Sequence, residues 1–488
     1  MIEFLKKNKI LLFFAVLVIV QGFWIFHSSG FYFIDDSCHF NYNRHVLTSY
    51  DQSIGSWHRL GRVWLYALPA QFGLKGTQIF ASLVFLFTIF VCYKILRIKK
   101  VDYAEWIVFA IGFQPVLFNI SYTVLAELPA ACLIALSFYY YLKDKYIPVM
   151  LLSSFIFLFR SEYYFVAGLF LLVYLFRKKW ISIFLFAAGP VLWFLVSWII
   201  SGQYWRFFYD IMLHTRLPKI TEGIEWYYYI KYTPVIFGVI QTLFFIIGVI
   251  SVFIMKRVRD FGLILMIIIG GFTVHTLAAL KGLDLTCSVG QLRYLAVIGP
   301  MFGIISVFGL EKLFKLSKNK SLLILLQVII FFVLFTLGPY STPFHAKFHI
   351  ETACDEISGL VKEKYPDYTV LSNLHYIANS MDKAASGEDN FQILTTSNLN
   401  KYHKALIIWD SDLEGSPFVE ETVTLDKLEK LPDVKLIITK IDTVDHRPDI
   451  PIYRFYNYDS KIRREAFKYL TNNQYCWENF ELKVFLKN

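Results

Sequence analysis

The residues of this sequence best suited to chemistry are ionisable side chains at the ends of long apolar segments. A charged side chain at membrane depth costs at least about 2.5 to 3.5 kcal/mol on insertion scales, so its presence there indicates function by default. Carboxylates accept protons from attacking hydroxyl groups, whereas guanidinium groups bind phosphate oxygens bidentately. These residues are Asp35, Asp36, Glu127, Arg160, Glu162 and Arg293. Together they predict general-base chemistry beside a phosphate group.

Two adjacent aspartates, Asp35 and Asp36, lie near the start of a polar segment, residues 28–76, that is also rich in aromatic residues. An aspartate pair near histidine suits a general base, a divalent-cation site or a helix cap. We predict that Asp36 caps a helix beginning at Ser37 and that Asp35 is the base. Aromatic residues beside basic ones also suit a sugar or a lipid headgroup, and we take His39, His58 and Arg59 as candidate substrate-binding residues.

Arg160 and Glu162 separate two short apolar segments. Residues 146–159 and 163–176 number 14 each, about 21 Å of helix, which is less than the roughly 30 Å hydrocarbon core. The turn FLFRSEYYF between them is therefore predicted to lie below the outer surface, in a polar cavity. Arg160 there suits a phosphate, although the two side chains could instead only neutralise one another.

Glu127 and Arg293 also lie at boundaries of apolar segments. The sequence SYTVLAELPAA leaves no room for a solvated loop, and Pro129 suits the first turn of a helix that begins near Glu127. At a helix N-terminus the dipole favours an anion, so Glu127 has either this helix-end role or a substrate-binding role. Arg293 precedes a further apolar segment.

The elements that must position these residues are membrane-spanning helices. The chain has 488 residues, of which 56% are apolar and 18% charged, whereas soluble proteins carry about 25% charged residues. We predict a polytopic α-helical membrane protein with about 11 transmembrane helices, and the composition excludes a disordered chain, a disulfide-dense mini-protein and a nucleic-acid-binding protein. The charge-free stretches are 10–26, 77–93, 106–126, 128–142, 146–159, 163–176, 180–205, 232–255, 261–280, 294–310 and 321–344.

The distribution of basic residues predicts the orientation in the membrane. The short connections on one side hold 19 Lys and Arg residues, and the longer connections on the other side hold 11. The cytoplasmic loops of membrane proteins carry an excess of Lys and Arg. We therefore predict a cytoplasmic N-terminus, a retained first helix and an extracytoplasmic tail. Every candidate site residue then faces the outer side, and the expected location is a bacterial plasma membrane.

The tail, residues 341–488, has the composition of a soluble domain. Its 18 basic and 23 acidic residues contrast with the membrane domain, residues 1–340. Apolar runs predict strands at 368–373, 405–409, 434–439 and 450–456, and helical spacing occurs at 350–363 and 424–431. We predict a C-terminal α/β domain that covers the site on the acceptor side. Cys354 and Cys476 form either a disulfide or two free thiols.

The order and sidedness of the charged set resemble the GT-C superfamily of polytopic glycosyltransferases. The resemblance covers about residues 1–340, and SVGQLRYLAVIGPMFGIISVFGLEKL is the most family-like stretch. It is similar to the mannosyltransferase-like and arabinosyltransferase-like bacterial branches. By this resemblance Asp35 or Asp36 matches the catalytic aspartate, Glu127 the second acidic motif, and Arg160 and Arg293 the donor-phosphate contacts.

The resemblance implies an inverting transfer of a hexosyl or pentosyl group. The donor would be a polyprenyl-phosphate sugar and the acceptor a lipid, a glycan or a protein, with no certain cofactor and a divalent cation left open. The first loop reads FIDDSCH where the mannosyltransferase branch has an H-P-D-E motif, so the sugar is not carried over.

Other classes of polytopic protein give different expectations. A transporter or flippase of lipid-linked sugars predicts repeats and charges near the bilayer midplane. A lipid-linked polysaccharide ligase or polymerase predicts a long late outer loop, but residues 281–293 number only 13. A structural or receptor protein, in which the tail carries the activity, predicts that the charged set is dispensable.

Overall fold

The computed structural model of the chain describes most of the membrane domain and about three fifths of the C-terminal domain. The described residues are 9–32, 34–54, 58–206, 208, 226–281, 291–317, 319–342, 344–345, 347, 349–384, 390–411, 423–442 and 480–487.

Helices form the described part of the chain up to residue 340. They are α1 (Lys9–His27), α2 (Ile34–His45), α3 (Leu60–Ala70), α4 (Gly73–Ile98), α5 (Ile107–Gly112), α6 (Pro115–Ile120), α7 (Glu127–Leu142), α8 (Tyr146–Phe155), α9 (Phe165–Phe176), α10 (Ser182–Ser201), α11 (Tyr228–Lys231), α12 (Thr233–Phe237), α13 (Val239–Ile254), α14 (Val258–Lys281), α15 (Gly299–Leu316) and α16 (Lys320–Leu337). Turns of 3-10 helix lie at Tyr50–Ser53, Ala104–Trp106, Ile156–Leu158, Ser161–Tyr164, Leu292–Ile298 and Pro339–Ser341.

Six helical segments of the described chain are long and apolar enough to cross a membrane, and four apolar helices are shorter. The protein is therefore an integral membrane protein. Burial distinguishes the centre of the helical domain from its periphery. Every residue is buried in an 18-residue stretch within Leu292–Leu316, whereas only 17% of the residues are buried in the corresponding stretches of α10 and of the segment Lys320–Ser341. The central segment is the one that begins beside Arg293, and the peripheral helices expose apolar side chains at the surface.

The charge-free stretch 106–126 is not one continuous helix. The chain is divided there into α5 and α6, and Gln114 between them is extended, with ψ 123°. The following Pro115 lacks an N–H group and disfavours helical backbone at Gln114. The side-chain amide of Gln114 donates to the carbonyl oxygen of Gly299 at 2.9 Å, which ties this break to the start of α15.

The C-terminal domain contains a five-stranded sheet of order β2-β1-β3-β5-β4. Strands β1, β2 and β3 are parallel, and β5 is antiparallel to β3 and β4. All six residues of β3 are buried, as expected of a central strand covered on both faces. The strands are β1 (Thr369–Ser372), β2 (Phe391–Gln392), β3 (Ala405–Asp410), β4 (Val434–Asp442) and β5 (Phe480–Lys487), and the helices are α17 (His349–Lys364), α18 (His375–Met381), α19 (Thr396–Lys401) and α20 (Leu425–Glu429).

This sheet confirms the predicted α/β domain and three of its predicted strands. The fourth, at 450–456, lies outside the described residues, as does Cys476. Cys354 is buried on α17, and both predicted alternatives, a disulfide with Cys476 or two free thiols, stay predictions.

Candidate active site

Helix α2 carries the two aspartates in its first turn. It begins at Ile34, three residues earlier than predicted, so Asp36 does not cap a helix that starts at Ser37. Instead Asp36 accepts hydrogen bonds from the backbone N–H groups of Tyr32 at 3.0 Å and Val124 at 2.9 Å. It is 2% exposed, and this burial raises its pKa to about 6. Asp36 thus joins the first loop to the segment before α7.

Asp35 points in another direction and pairs with Arg293. The distance between its Oδ2 and Nη2 of Arg293 is 2.6 Å. Arg293 lies in the 3-10 turn that leads into α15, 258 residues further along the chain. The side chain of Asp35 is 15% exposed and that of Arg293 is 5% exposed. The carboxylate of Asp35 therefore lies at the more accessible end of this pair.

Four more charged residues continue from this pair into the protein. Nε of Arg293 lies 3.3 Å from Oε1 of Glu127, which also pairs with Arg160. Arg160 contacts Glu162 at 3.1 Å, and Glu162 lies 3.9 Å from Arg59. We call Asp35, Arg293, Glu127, Arg160, Glu162 and Arg59 the ion-pair chain. Three carboxylates alternate in it with three guanidinium groups, so opposite charges are adjacent throughout.

The backbone at Arg160 explains how a guanidinium reaches two carboxylates. The residue is extended, with φ −144° and ψ 90°, and it separates the 3-10 turns Ile156–Leu158 and Ser161–Tyr164. The predicted non-helical turn is therefore confirmed, and Arg160 is 6% exposed. Glu127 is the first residue of α7, as the sequence predicted.

Arg59 at the far end of the ion-pair chain has a strained backbone. Its φ of 57° is in the left-handed region, immediately before α3, which costs a non-glycine residue about 1 to 2 kcal/mol. The side chain donates to Oγ of Ser161 at 3.0 Å and approaches Glu162. The strain is thus associated with a contact between the first loop and the Arg160 turn.

Tyr294 was not predicted as a site residue, yet its ring contacts both central arginines. The guanidinium carbon of Arg160 lies 4.2 Å from the ring centre and that of Arg293 lies 5.3 Å from it. Such cation–π contacts stabilise desolvated cations. The dipeptide Arg293-Tyr294 is the sequence signal for this role, because the aromatic ring directly follows the candidate phosphate ligand.

His39 and His58 lie in the first loop but outside the ion-pair chain. His39 is 6% exposed, and its backbone oxygen accepts from Arg62 at 3.2 Å. His58 shares a hydrogen bond between its Nδ1 and the backbone oxygen of Gln52, at 2.7 Å, and its ring stacks on Tyr42 at 4.0 Å. Burial lowers the pKa of both imidazoles, for His58 to about 3. They are therefore neutral hydrogen-bonding groups.

The described residues show no group of three His, Cys, Asp or Glu side chains placed to hold a metal ion. Asp35 faces Arg293 while Asp36 faces two backbone N–H groups. The two adjacent carboxylates thus diverge.

Two solved structures share this fold, and both are of ArnT, a GT-C glycosyltransferase, from Cupriavidus metallidurans. The one bound to undecaprenyl phosphate is 10% identical, with a TM-score of 0.58 over 85% of this chain and 95% of that chain. The apo structure is 12% identical, with a TM-score of 0.58 over 84% of this chain and 95% of that one. These likenesses confirm the predicted GT-C-like fold. No protein-family model and no curated protein matches the sequence.

Proposed function

We propose that this protein is a glycosyltransferase that moves a sugar from a polyprenyl-phosphate donor to an acceptor on the outer face of the membrane. The ion-pair chain carries the proposal, because it places a partly exposed carboxylate 2.6 Å from a buried guanidinium. A base and a phosphate ligand in contact are what such a transfer needs. The fold shared with ArnT supports the same class of reaction, since one ArnT structure is bound to undecaprenyl phosphate.

The donor phosphate binds Arg293 and Arg160 in this proposal. The three guanidinium groups of the ion-pair chain are already balanced by carboxylates. An incoming phosphate must therefore take the place of one carboxylate on an arginine. Asp35 is the carboxylate that a phosphate displaces most easily, because its side chain is 15% exposed whereas those of Glu127 and Glu162 are 2% and 0% exposed. Phosphate binding thus frees Asp35 for chemistry.

Asp35 then acts as the general base. It takes the proton of the acceptor hydroxyl, whose oxygen forms a bond to the anomeric carbon while the bond from that carbon to the phosphate oxygen breaks. The electron pair leaves with the polyprenyl phosphate, where Arg293 and Arg160 stabilise the negative charge. Attack from the face opposite the leaving group inverts the anomeric centre. Asp36 supports this arrangement by fixing the start of α2.

The sugar is a hexose or a pentose, with the mannosyltransferase-like and arabinosyltransferase-like branches as the working expectation, and the acceptor is a lipid, a glycan or a protein. Residues 1–340 form the transferase domain and residues 341–488 an extracytoplasmic domain. The positive-inside distribution of Lys and Arg supports this orientation.

The test is transfer by the purified full-length protein in lipid nanodiscs. A panel of polyprenyl-phosphate hexoses and pentoses is offered with a lipid, a glycan or a peptide acceptor, and release of polyprenyl phosphate is followed. Turnover that requires Arg293 supports the proposal. Sugar–lipid movement across the bilayer without cleavage indicates a flippase, and polymer transfer from a diphosphate-linked lipid indicates a ligase.

A further inference from the structure

The C-terminal domain holds the helix that carries the aspartates. Asn379 on α18 donates through its side-chain amide to the backbone oxygen of Ser37 at 3.0 Å and to its Oγ at 2.9 Å. The amide oxygen of Asn379 accepts from Asn41 at 2.9 Å. One side chain of the C-terminal domain therefore contacts two consecutive turns of α2.

Contacts with the residues after α18 extend this interface. Arg44 pairs with Asp382 through two parallel bonds, each 3.0 Å long, and Asn41 donates to the backbone oxygen of Lys383 at 2.8 Å. Arg44 also donates to the backbone oxygen of Gln71, at 2.8 Å. The end of α2 is thus joined both to the C-terminal domain and to the segment before α4.

These contacts lie on one face of α2. Ser37, Asn41 and Arg44 are spaced four and three residues apart, which places them on the same side of a helix. Asp35 lies two residues before Ser37, and its carboxylate pairs with Arg293. The helix therefore rests on the C-terminal domain by one face and presents Asp35 from another.

The composition of α2 explains why it needs such support. Eight of its twelve residues are polar, in the sequence IDDSCHFNYNRH, so apolar packing alone holds it weakly. Ser37 and Asn41 are nevertheless 0% exposed. Buried polar groups without partners are costly, and the C-terminal domain supplies those partners.

We infer that Asn379 and Asp382 are positioning residues, through which the C-terminal domain sets the direction in which Asp35 points. The inference rests on the proposed function, and it gives the domain a role in the rate of the chemical step. Neither residue touches the reacting atoms. Loss of their contacts lets α2 rotate or shift, and a displacement of about 1 Å at a reacting group lowers rates by roughly 10²-fold.

The first experiment replaces Asn379 with Asp in the full-length protein. Asn379→Asp keeps the size of the side chain but removes the donor to Ser37 and places a carboxylate against its backbone oxygen. We expect kcat to fall by roughly 10- to 100-fold while KM for the donor does not rise, because a displaced Asp35 competes less with the phosphate for Arg293. The matched control is Lys440→Glu, which breaks the 2.6 Å ion pair with Glu356 elsewhere in the domain and leaves kcat unchanged. An unchanged kcat in Asn379→Asp at equal folded concentration overturns the inference.

A second variant covers the case in which Asn379→Asp does not fold. Asp382 has φ 55°, which asparagine tolerates, so Asp382→Asn keeps the backbone and loses only the ion pair with Arg44. The side chain of Asp382 is 61% exposed, and exposed pairs contribute little to stability, so this variant folds. We expect a smaller fall in kcat, about 2- to 5-fold, again without a rise in donor KM. Unchanged kcat in this variant counts against the role of Asp382.

Hydrogen exchange separates this inference from the proposed function. We expect the amides of α2 to exchange about tenfold faster in Asn379→Asp than in the wild type, and not in Lys440→Glu. If α2 exchanges faster in Asn379→Asp but the wild type transfers sugar from none of the donors, the contact between the C-terminal domain and α2 is supported and the glycosyltransferase assignment is rejected. Exchange of α2 that is the same in all three proteins rejects the positioning role whatever the enzyme does.

Discussion

Oδ2 of Asp35 lies 2.6 Å from Nη2 of Arg293, so the proposed base and the proposed phosphate ligand are paired before any donor arrives. The pair joins the first loop to the turn that begins the most buried of the described membrane segments. In this geometry the carboxylate and a phosphate compete for one guanidinium group.

Asp35→Asn is expected to lower transfer and to strengthen donor binding. Removal of the proton acceptor reduces the single-turnover rate by roughly 10²- to 10⁴-fold. Removal of the competing negative charge leaves Arg293 more available to a phosphate, so the dissociation constant of undecaprenyl phosphate falls. Rapid-quench transfer and equilibrium binding in nanodiscs measure the two effects, and weaker binding by the variant contradicts the competition.

Asp36→Asn is expected to affect stability more than chemistry. An asparagine offers one oxygen to the two backbone N–H groups of Tyr32 and Val124 and turns its NH₂ group toward the other donor. A buried unsatisfied donor costs about 1 to 3 kcal/mol. Thermal unfolding at pH 7 measures this loss. Transfer per folded molecule should fall less than in Asp35→Asn, and the opposite order would exchange the roles of the two aspartates.

The same carboxylate predicts a pH dependence of stability. Burial raises the pKa of Asp36 to about 6 in the folded protein, above the usual value of about 3.9. Its contribution to stability is therefore fully present below pH ~4 and is lost as the pH rises through about 6. Relative to Asp36→Asn, the unfolding free energy of the wild type should decrease by up to roughly 3 kcal/mol between pH 4 and pH 7. Parallel pH profiles of the two proteins would show that Asp36 does not titrate in this range.

Arg160→Lys is expected to weaken both folding and phosphate binding. The guanidinium pairs with Glu127 and Glu162 at once and stacks on Tyr294, and a lysine ammonium cannot reproduce this planar geometry. A partly broken buried pair costs up to about 3 to 5 kcal/mol. We expect a lower unfolding temperature and at least roughly tenfold weaker binding of undecaprenyl phosphate. Arg177→Lys is the matched control, because Arg177 pairs with Asp144 at an exposed site. Equal losses in the two variants would argue against a special role of Arg160.

Labelling of single cysteines tests the orientation. Ser397 is exposed in the C-terminal domain, and the side chain of Asp144, between α7 and α8, is 84% exposed. In a chain with Cys287 and Cys476 replaced by serine, we expect an impermeant thiol reagent to label Ser397→Cys but not Asp144→Cys in intact cells. The remaining cysteines are buried. The reverse pattern would invert the topology and place the site in the cytoplasm.

The elements around the site follow from local features of the sequence. The break at Arg160 follows from two apolar segments that are too short, and the start of α7 at Glu127 follows from Pro129. Both features depend on residues that are close together in the sequence, so they can be predicted without the structure. The sidedness of the charges is a prediction from the distribution of Lys and Arg along the sequence, and it does not depend on the structure.

The contacts within the site depend instead on packing between distant segments. Asp36 meets Val124, 88 residues away, and Asn379 meets Ser37 across 342 residues. No spacing rule relates such pairs, so the sequence predicted a helix cap for Asp36 and only a covering role for the C-terminal domain. Tyr294 was overlooked for a related reason, since aromatic residues are abundant and only the fold places this ring against two guanidinium groups.

The equal numbers of carboxylates and guanidinium groups in the ion-pair chain also bear on how a donor reaches the site. A cleft with an excess of one sign attracts charged ligands over a distance, and added salt slows such encounters. Here the charges cancel in adjacent pairs, so little field extends beyond them. A lipid-borne phosphate would arrive by lateral diffusion in the bilayer and meet the arginines only at contact. The association rate should accordingly be nearly independent of ionic strength.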